Sequence, residues 1–460
     1  MRRLHAGALA ALAAAAAAAG VPGAAAADPP IAATGPLRLE LPLLDVPYNV
    51  AYGYRAPSMA QSQAIARDVH GATSWGIDLG VAAACDRGGC APALRWTVEL
   101  SAILLVQAVW LRLPLGTTWS HEEWHRAVLG RWGIDSFNDI WNVRLDTSSI
   151  NVIHVADEEL IALKRDHPAD MVRLSAAGME GDIELARAVE ADAFFDGTDW
   201  RRDLVTVAIQ RGRVIRYMWY CDTSAATADT NAENLQEPDP LKRDVVGYDC
   251  DAWAYDVQRP DEPYEARGPH PTGVGIDRYR RPTDLTPHER ELLVQAKWLS
   301  LLNLVDPAMF GVRWGVPGAP PGWRMTGGFA YQLTSFGQAV TLDLYARGAD
   351  ASWRAALRLY LSGHLALPGL ELERVRLART VAGARLEVTP TLGVWLQPAH
   401  DRFDDTAARP GALARLKLAW LATGRLSAFA EVLAKSAGWV AGTPRLDAAV
   451  EARVGVGGVL

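Results

Sequence analysis

The segment His121-Glu122-Glu123-Trp124-His125 holds the residues whose types and spacing most directly suggest chemistry. On a helix, His121 and His125 lie four residues apart on one face, so both imidazoles can bind a single metal ion. Glu122 then lies beside the ion, where a carboxylate can take a proton from an attacking water. The alternative is an amphipathic helix whose histidines and glutamates are solvated. The pattern favours a metal site, with zinc as the expected cofactor.

This motif resembles that of the HExxH zinc metallopeptidases, and the resemblance covers roughly residues 95–195. It implies that His121 and His125 are metal ligands and that Glu122 is the general base. It also implies that the substrate is a polypeptide. The chain departs from the family at Glu123, because active peptidases usually carry an uncharged residue at that position.

A catalytic zinc site needs a third protein ligand and an open position for water. Residues 171–195 are rich in Ala, Leu and Glu and predict a second helix that could supply this ligand. In the branch of the family whose third ligand is a glutamate, this helix typically shows the pattern E-x-x-x-D. Glu180 and Glu184 are four residues apart, which is a near match and places both on one helix face. The resemblance therefore selects Glu180 as third ligand, with Glu184 as the alternative.

The elements that must position these residues are expected to be mainly helical over 91–221, with a further helix within 285–314. Residues 94–113 are strongly apolar, which suits a buried or interfacial helix better than a membrane-spanning one. The segment 28–90 is expected to be extended. The Asp-, Pro- and Thr-rich segment 222–284 is expected to be a long loop or linker.

Residues 323–460 alternate between apolar and polar side chains, which predicts an antiparallel meander of about eight strands. The runs are longer than soluble strands and match the roughly nine to eleven residues of a tilted transmembrane strand. The segment resembles an outer-membrane β-barrel, with apolar side chains toward lipid and charge pairs inside. Leu460 replaces the aromatic residue that usually ends such barrels. The fold class is therefore α+β, and the alternative to a barrel is a soluble antiparallel sheet or sandwich.

Composition restricts the class of protein further. The 460 residues carry 46 Lys+Arg against 53 Asp+Glu, a balance that argues against a nucleic-acid binder. Residues 1–27 have a short basic start, an apolar run and a small-residue cleavage pattern, which predict a secretory signal peptide. Export agrees with an even number of cysteines, for which we expect the disulfides Cys85–Cys90 and Cys221–Cys250. A zinc–thiolate site is the competing interpretation of these cysteines.

The chain has 17 Trp against 12 Tyr and 8 Phe. Such an excess arises from dense aromatic packing or from rings at a membrane interface. The tryptophans of the strand region fit the interfacial belts of a barrel. They are therefore expected to lie near strand ends and to face outward.

Together these features predict an exported, outer-membrane-anchored zinc metallopeptidase-like hydrolase with a periplasmic location as the alternative. Its expected partners are an envelope polypeptide and outer-membrane lipid, with no nucleic acid. The predicted ligands are His121, His125 and Glu180, and the predicted base is Glu122. A non-enzymatic outer-membrane β-barrel protein with a helical plug or scaffold domain is the alternative function.

Overall fold

The computed structural model of the protein describes residues 36–143, 149–381, 384–422 and 425–460. These residues form a group of helices and one large antiparallel sheet, with a separate two-stranded pair. The predicted α+β class is confirmed at this level. The signal peptide predicted for residues 1–27 lies outside the described residues.

The described chain contains ten α-helices. They are α1 (Tyr48–Tyr52), α2 (Met59–Gly88), α3 (Pro92–Trp110), α4 (Thr117–Arg131), α5 (Asp157–Asp166), α6 (Pro168–Asp196), α7 (Trp200–Cys221), α8 (Ser224–Gln236), α9 (Asp249–Gln258) and α10 (Pro287–Ser300). Helix α10 starts where the sequence places a cap, because the Thr286 hydroxyl accepts a hydrogen bond from the Glu289 amide.

Two segments differ from the sequence prediction. Residues 28–90 are not simply extended: they contain a strand, Arg38–Val46, and the long helix α2. Ser58 and Gln61 form a capping box that starts α2. Residues 222–284 are not a single loop, because they contain α8 and α9. Helix α9 is buried along almost its whole length, so its sequence carries no amphipathic period that could reveal it.

The strands of the large sheet are β1 (Arg38–Val46), β4 (Trp314–Gly315), β5 (Arg324–Thr334), β6 (Gly337–Arg347), β7 (Ser352–Ser362), β8 (Leu365–Arg374), β9 (Leu377–Val381), β10 (Ala384–Pro398), β11 (Ala408–Leu421), β12 (Leu426–Lys435) and β13 (Ala449–Val459). The separate pair is β2 (Phe137–Asn138) with β3 (Val152–Ile153). The order in the large sheet is β1-β13-β12-β11-β10-β8-β7-β6-β5-β4, and β9 pairs with β10. The long runs predicted within 323–460 are all strands, and β1 joins them from the N-terminal side.

The sheet is open, whereas the sequence predicts a closed barrel. Within the described residues, no hydrogen-bonded ladder joins β1 to β4, the two ends of the strand order. Helix α2 packs against β1, and helix α6 packs against β5. Helices therefore pack against strands near both ends of the strand order.

The two sides of the sheet differ in chemistry. On the helix-facing side, charged groups pair with each other: Arg358 contacts Glu371 at 3.1 Å, and Arg453 contacts Glu431 at 2.8 Å. On the other side, the outward positions of β10–β13 carry only uncharged residues, chiefly Leu, Val and Ala. Large exposed side chains on this side include Leu392, Leu416, Val432 and Val454. The predicted alternation of charged and apolar positions is thus present, with the charges toward the helices.

The strand-region tryptophans divide between the two sides. Trp353 and Trp420 are 38% and 53% exposed and face outward. Both lie near strand ends, on the same side of the sheet along the strand direction. These two match the expectation of outward rings near strand ends. Trp395 and Trp439 are buried in an apolar cluster on the helix-facing side, so core packing explains them instead.

Helix α6 connects the sheet to the remaining helices. Arg187 of α6 donates two hydrogen bonds to Asp343 of β6, at 2.6 and 2.8 Å. Glu180 of α6 accepts hydrogen bonds from the Trp439 indole at 3.2 Å and the Gly442 amide at 3.0 Å. These bonds fix one side of α6 against the polar face of the sheet.

Helix α3 is long and apolar enough to cross a membrane by length and composition. It is not the buried helix that one interpretation of its sequence allows, because only 11% of its most apolar window is buried. Leu94, Trp96, Leu105 and Val109 are among its exposed side chains. Gln107 faces the other way and donates to Thr206 of α7 at 3.0 Å.

Replacing Arg187 with Met should destabilise the protein, because it removes the two closest hydrogen bonds of the buried Asp343 carboxylate and leaves it only Arg354, at 3.4 Å. Removing one member of a buried ion pair costs about 3–5 kcal/mol. Thermal unfolding of the purified protein measures the effect. The double variant Arg187→Met/Asp343→Leu should recover most of the loss, and an unchanged melting temperature in the single variant would contradict this account.

Candidate metal centre

Helix α4 carries the histidine motif, and all but its ends are buried. The solvated alternative for these side chains is therefore wrong. Trp124 packs against α6 at Gly181, where an added Cβ would lie 2.9 Å from the indole. Glu123 accepts two hydrogen bonds from Arg126, at 2.7 and 2.8 Å, and one from Asn138 at 2.9 Å. The charged residue that departs from the peptidase pattern thus serves the packing of α4.

The two motif histidines meet a carboxylate from another helix. Asp249, the first residue of α9, places its Oδ2 3.2 Å from the Nε2 of His121 and 3.6 Å from the Nε2 of His125. The three ligand atoms all lie within 4.8 Å of one another, and all three residues are buried. A tetrahedral ion with bonds of about 2.0–2.1 Å separates its ligand atoms by about 3.3–3.4 Å. The two separations from Asp249 are close to that value.

The other ring nitrogens already have partners. The Nδ1 of His121 lies 3.0 Å from Oδ2 of Asp182, and the Nδ1 of His125 lies 2.6 Å from the carbonyl oxygen of Leu174. Both partners accept hydrogen bonds, so each Nδ1 carries the proton and each Nε2 presents its lone pair in the neutral ring. A carboxylate or carbonyl behind the ring is the usual support of a metal-bound histidine.

Three electron-pair donors therefore face one another in a buried space. The Oδ2 of Asp249 has no hydrogen-bond partner among the described residues, although His121 is close. Lone pairs that converge in this way repel unless a cation, either protons or a metal ion, lies among them. The Oδ2 of Asp249 lies beside the direction in which an N–H bond at Nε2 of His121 would point, so the geometry suits a shared metal ion better than a hydrogen bond.

The electrostatics of the group favour positive charge at its centre. Burial alone lowers the pKa of His121, but the carboxylates of Asp182 and Asp249 outweigh burial and hold the pKa well above its ordinary value. Burial is likewise outweighed at His125, where Asp249 raises the pKa. Burial raises the pKa of Asp249, but the two imidazoles dominate and lower it. Without a metal ion, protons on the rings fill the role of the cation.

Gly178 makes this arrangement possible. A Cβ added at this position would lie 2.3 Å from the Nε2 of His121 and 2.4 Å from that of His125. Both rings therefore pack directly on the backbone of α6, and any side chain would collide with the ligand atoms.

The structure does not bring Glu180 or Glu184, the predicted third ligands, to the histidines. Glu180 pairs with Arg173 at 2.8 Å and accepts from Trp439 and Gly442, while Glu184 pairs with Arg187. The predicted second helix is present as α6, but Glu180 does not lie on the face that contacts α4. Residues 174, 178 and 182 face α4, and position 180 lies about 200° around the helix from position 178.

Gly178 and Asp182, two residues before Glu180 and Glu184, have the same four-residue spacing and face α4. Asp182 contacts the ring of His121. Asp249 of α9 supplies the carboxylate that glycine lacks. The spacing of Gly178 and Asp182 was a signal that the sequence offered, whereas nothing in the sequence marks Asp249.

A disulfide holds the helix that carries Asp249. Cys221, at the end of α7, is bonded to Cys250, and Cys85 is bonded to Cys90. Both predicted pairs are confirmed, and the zinc–thiolate alternative fails because no cysteine is free. Since Cys250 follows Asp249 directly, the bond ties this ligand to α7.

A comparison with protein-family models finds no matching family, and neither the curated proteins nor the solved structures include a match. The assignment of the centre therefore rests on the geometry of its residues.

Gly178→Ala should abolish zinc binding, because the added methyl group displaces both rings. Gly212→Ala on α7 is a matched control, since an added Cβ there meets nothing within 4 Å. Zinc content by elemental analysis should fall from about one per chain to near zero only in Gly178→Ala, with helicity by circular dichroism retained in both. Full zinc content in Gly178→Ala would contradict the assignment.

Proposed function

We propose that the protein is a zinc-dependent hydrolase of the metallopeptidase type, anchored in the outer membrane of a cell envelope and acting on an envelope polypeptide. The observation that carries the proposal is the convergence of His121, His125 and Asp249 next to Glu122. Two imidazoles and one carboxylate form a donor set that zinc prefers, and three protein ligands leave a fourth position open. When bound, zinc polarises a carbonyl group and makes water more acidic.

Glu122 is suited to the role of base. Burial raises the pKa of its carboxyl group to about 8, against the two imidazoles, which lower it. A base whose pKa lies near the working pH transfers protons effectively in both directions. Glu122 would take a proton from the attacking water and pass it to the leaving amine.

Tyr217 is suited to stabilise the charge that develops on the carbonyl oxygen. Its ring stacks on His121 with the centroids 5.8 Å apart. Burial, followed by the charges of Asp249 and Glu122, raises the pKa of Tyr217 well above its ordinary value. The phenol therefore stays protonated and keeps a hydrogen to donate to an oxyanion.

Glu122→Gln tests the hydrolase directly. The variant should keep its zinc, because Glu122 is not a ligand, but its turnover of quenched-fluorescence peptides should fall by about 10²–10⁴-fold. Glu158→Gln, at an exposed position on α5, is the control and should keep wild-type turnover. Equal turnover in Glu122→Gln, or activity in zinc-free protein, would overturn the proposal.

One observation favours a second function, a structural metal ion in a non-enzymatic protein. His121, His125 and Asp249 are each at most 4% exposed, and Glu122 is 8% exposed. An ion there would join α4 and α9 across α6. Under this alternative, chelation lowers the melting temperature, Glu122→Gln changes nothing, and no peptide is cleaved.

The uncharged outer side of the sheet supports the membrane anchor. Outward positions of β10–β13 are apolar or small, and the charged positions point toward the helices, which is the polarity expected of lipid-facing strands. The outward Trp353 and Trp420 share one edge, as rings at a membrane boundary do. The two disulfides agree with an oxidising compartment outside the cytoplasm.

Leu416→Lys separates a membrane face from a soluble one. Leu416 is 44% exposed near the middle of β11, so a lysine there would be harmless in water. In a bilayer, lysine near the midplane costs about 2–4 kcal/mol. Wild-type protein should need detergent and remain with carbonate-washed membranes, and the variant should insert less. Wild-type protein that is soluble without detergent would contradict the anchor.

A further inference from the structure

The ladder between β8 and β10 is the shortest contact between the long neighbouring strands of the described sheet. It contains five residue pairs, from Gly369–Trp395 to Glu373–Thr391, against ten for β7–β8 and fourteen for β10–β11. Pro368 precedes Gly369 in β8, at the position where the next pair of the ladder would form, and it has no N–H to extend the ladder. The two strands therefore separate at this end.

An open groove of about 770 Å³ lies where they separate, on the outer side of the sheet. Its volume is in the range of small-molecule sites, about 300–1,000 Å³. No charged side chain lines it, and its walls come from β7, β8, β10 and β11. The residues that define it best are Pro368, Leu370, Val394, Leu396, Pro410 and Ala412.

We propose that this groove binds one acyl chain of a membrane phospholipid. The proposal rests on the membrane anchor proposed above, because the groove is continuous with the uncharged outer face of β10–β13. A hydrocarbon chain needs no hydrogen bonds, which suits apolar walls. A peptide strand would need donors along the gap, and Pro368 of β8 removes one of them.

The position of the groove along the strands agrees with this assignment. Gly411, at the groove, and the outward Trp420 lie near opposite ends of β11, about 30 Å apart at roughly 3.3 Å per residue. With the usual tilt of about 40°, this corresponds to a height close to the roughly 25 Å apolar band of an outer-membrane protein. If Trp420 marks one boundary of the band, the groove lies at the other, where ester groups are found.

Photolabelling tests the site in the full-length protein. Vesicles of phosphatidylethanolamine and phosphatidylglycerol would contain a phospholipid with a diazirine in its acyl chain, and mass spectrometry would map the labelled peptides. Labelling of residues 366–370, 394–396 and 410–412 should exceed that of β12 and β13 at least about fivefold. Ala412→Trp fills the groove and should remove this excess, as should Leu370→Trp, which serves if the first variant does not fold.

Ala430→Trp, at an outward position of β12, is the matched control and should label like wild type. Even labelling across β8–β13, or an excess that persists in both groove variants, would overturn the lipid site in the groove. The proposed membrane anchor would be unaffected by either result. Cross-linked dimers joined through the groove would assign it to a second copy and overturn the lipid site. Absence of label from the whole outer face would overturn the anchor itself.

Discussion

Helix α6 has to satisfy two buried surfaces on opposite sides, and the rest of the structure depends on that constraint. Its residues 174, 178 and 182 receive the two histidines of α4: a carbonyl supports one ring, a carboxylate supports the other, and a glycine gives both rings room. Its Glu180 and Arg187 bond to the sheet and to the loop after β12. A shift of α6 that improved one surface would disrupt the other, so the metal centre and the sheet are positioned by a single element.

The arrangement of the centre requires positive charge among its donor atoms. The two Nε2 atoms and Asp249 Oδ2 are electron-pair donors in a space that water barely reaches, and each histidine has already used its other nitrogen. Protons or a metal ion must lie among them. Glu122 and Tyr217 lie beside the same point without being ligands, and the proposed hydrolysis gives each of them a role. The Cys221–Cys250 bond then ties the helix of Asp249 to α7, which carries Tyr217.

The sequence predicted the features that depend on residues close together along the chain. The spacing of His121 and His125 identified the candidate ligand pair, the period of two identified the long strands, and Thr286 marked the start of α10. A helix that is buried on all sides has no amphipathic period in its sequence. Helix α9 is such a helix, so neither the helix nor its Asp249 could be predicted. Glu180 failed as a ligand because spacing defines a helix face but not which neighbour that face meets. Sheet closure likewise depends on how β1 and β4 meet their neighbours, which alternation along single strands does not determine.

The membrane anchor and the metal centre are separable parts of this account, and the metal centre is the more central. X-ray absorption at the zinc edge of the purified, zinc-loaded protein tests it most directly. We expect about one zinc per chain, bound only by nitrogen and oxygen at about 2.0–2.1 Å, with the scattering pattern of two imidazoles. Loss of one oxygen neighbour in Asp249→Ala would complete the assignment. A protein that retains no zinc, or one that binds it through sulfur at about 2.3 Å, would contradict the proposed centre.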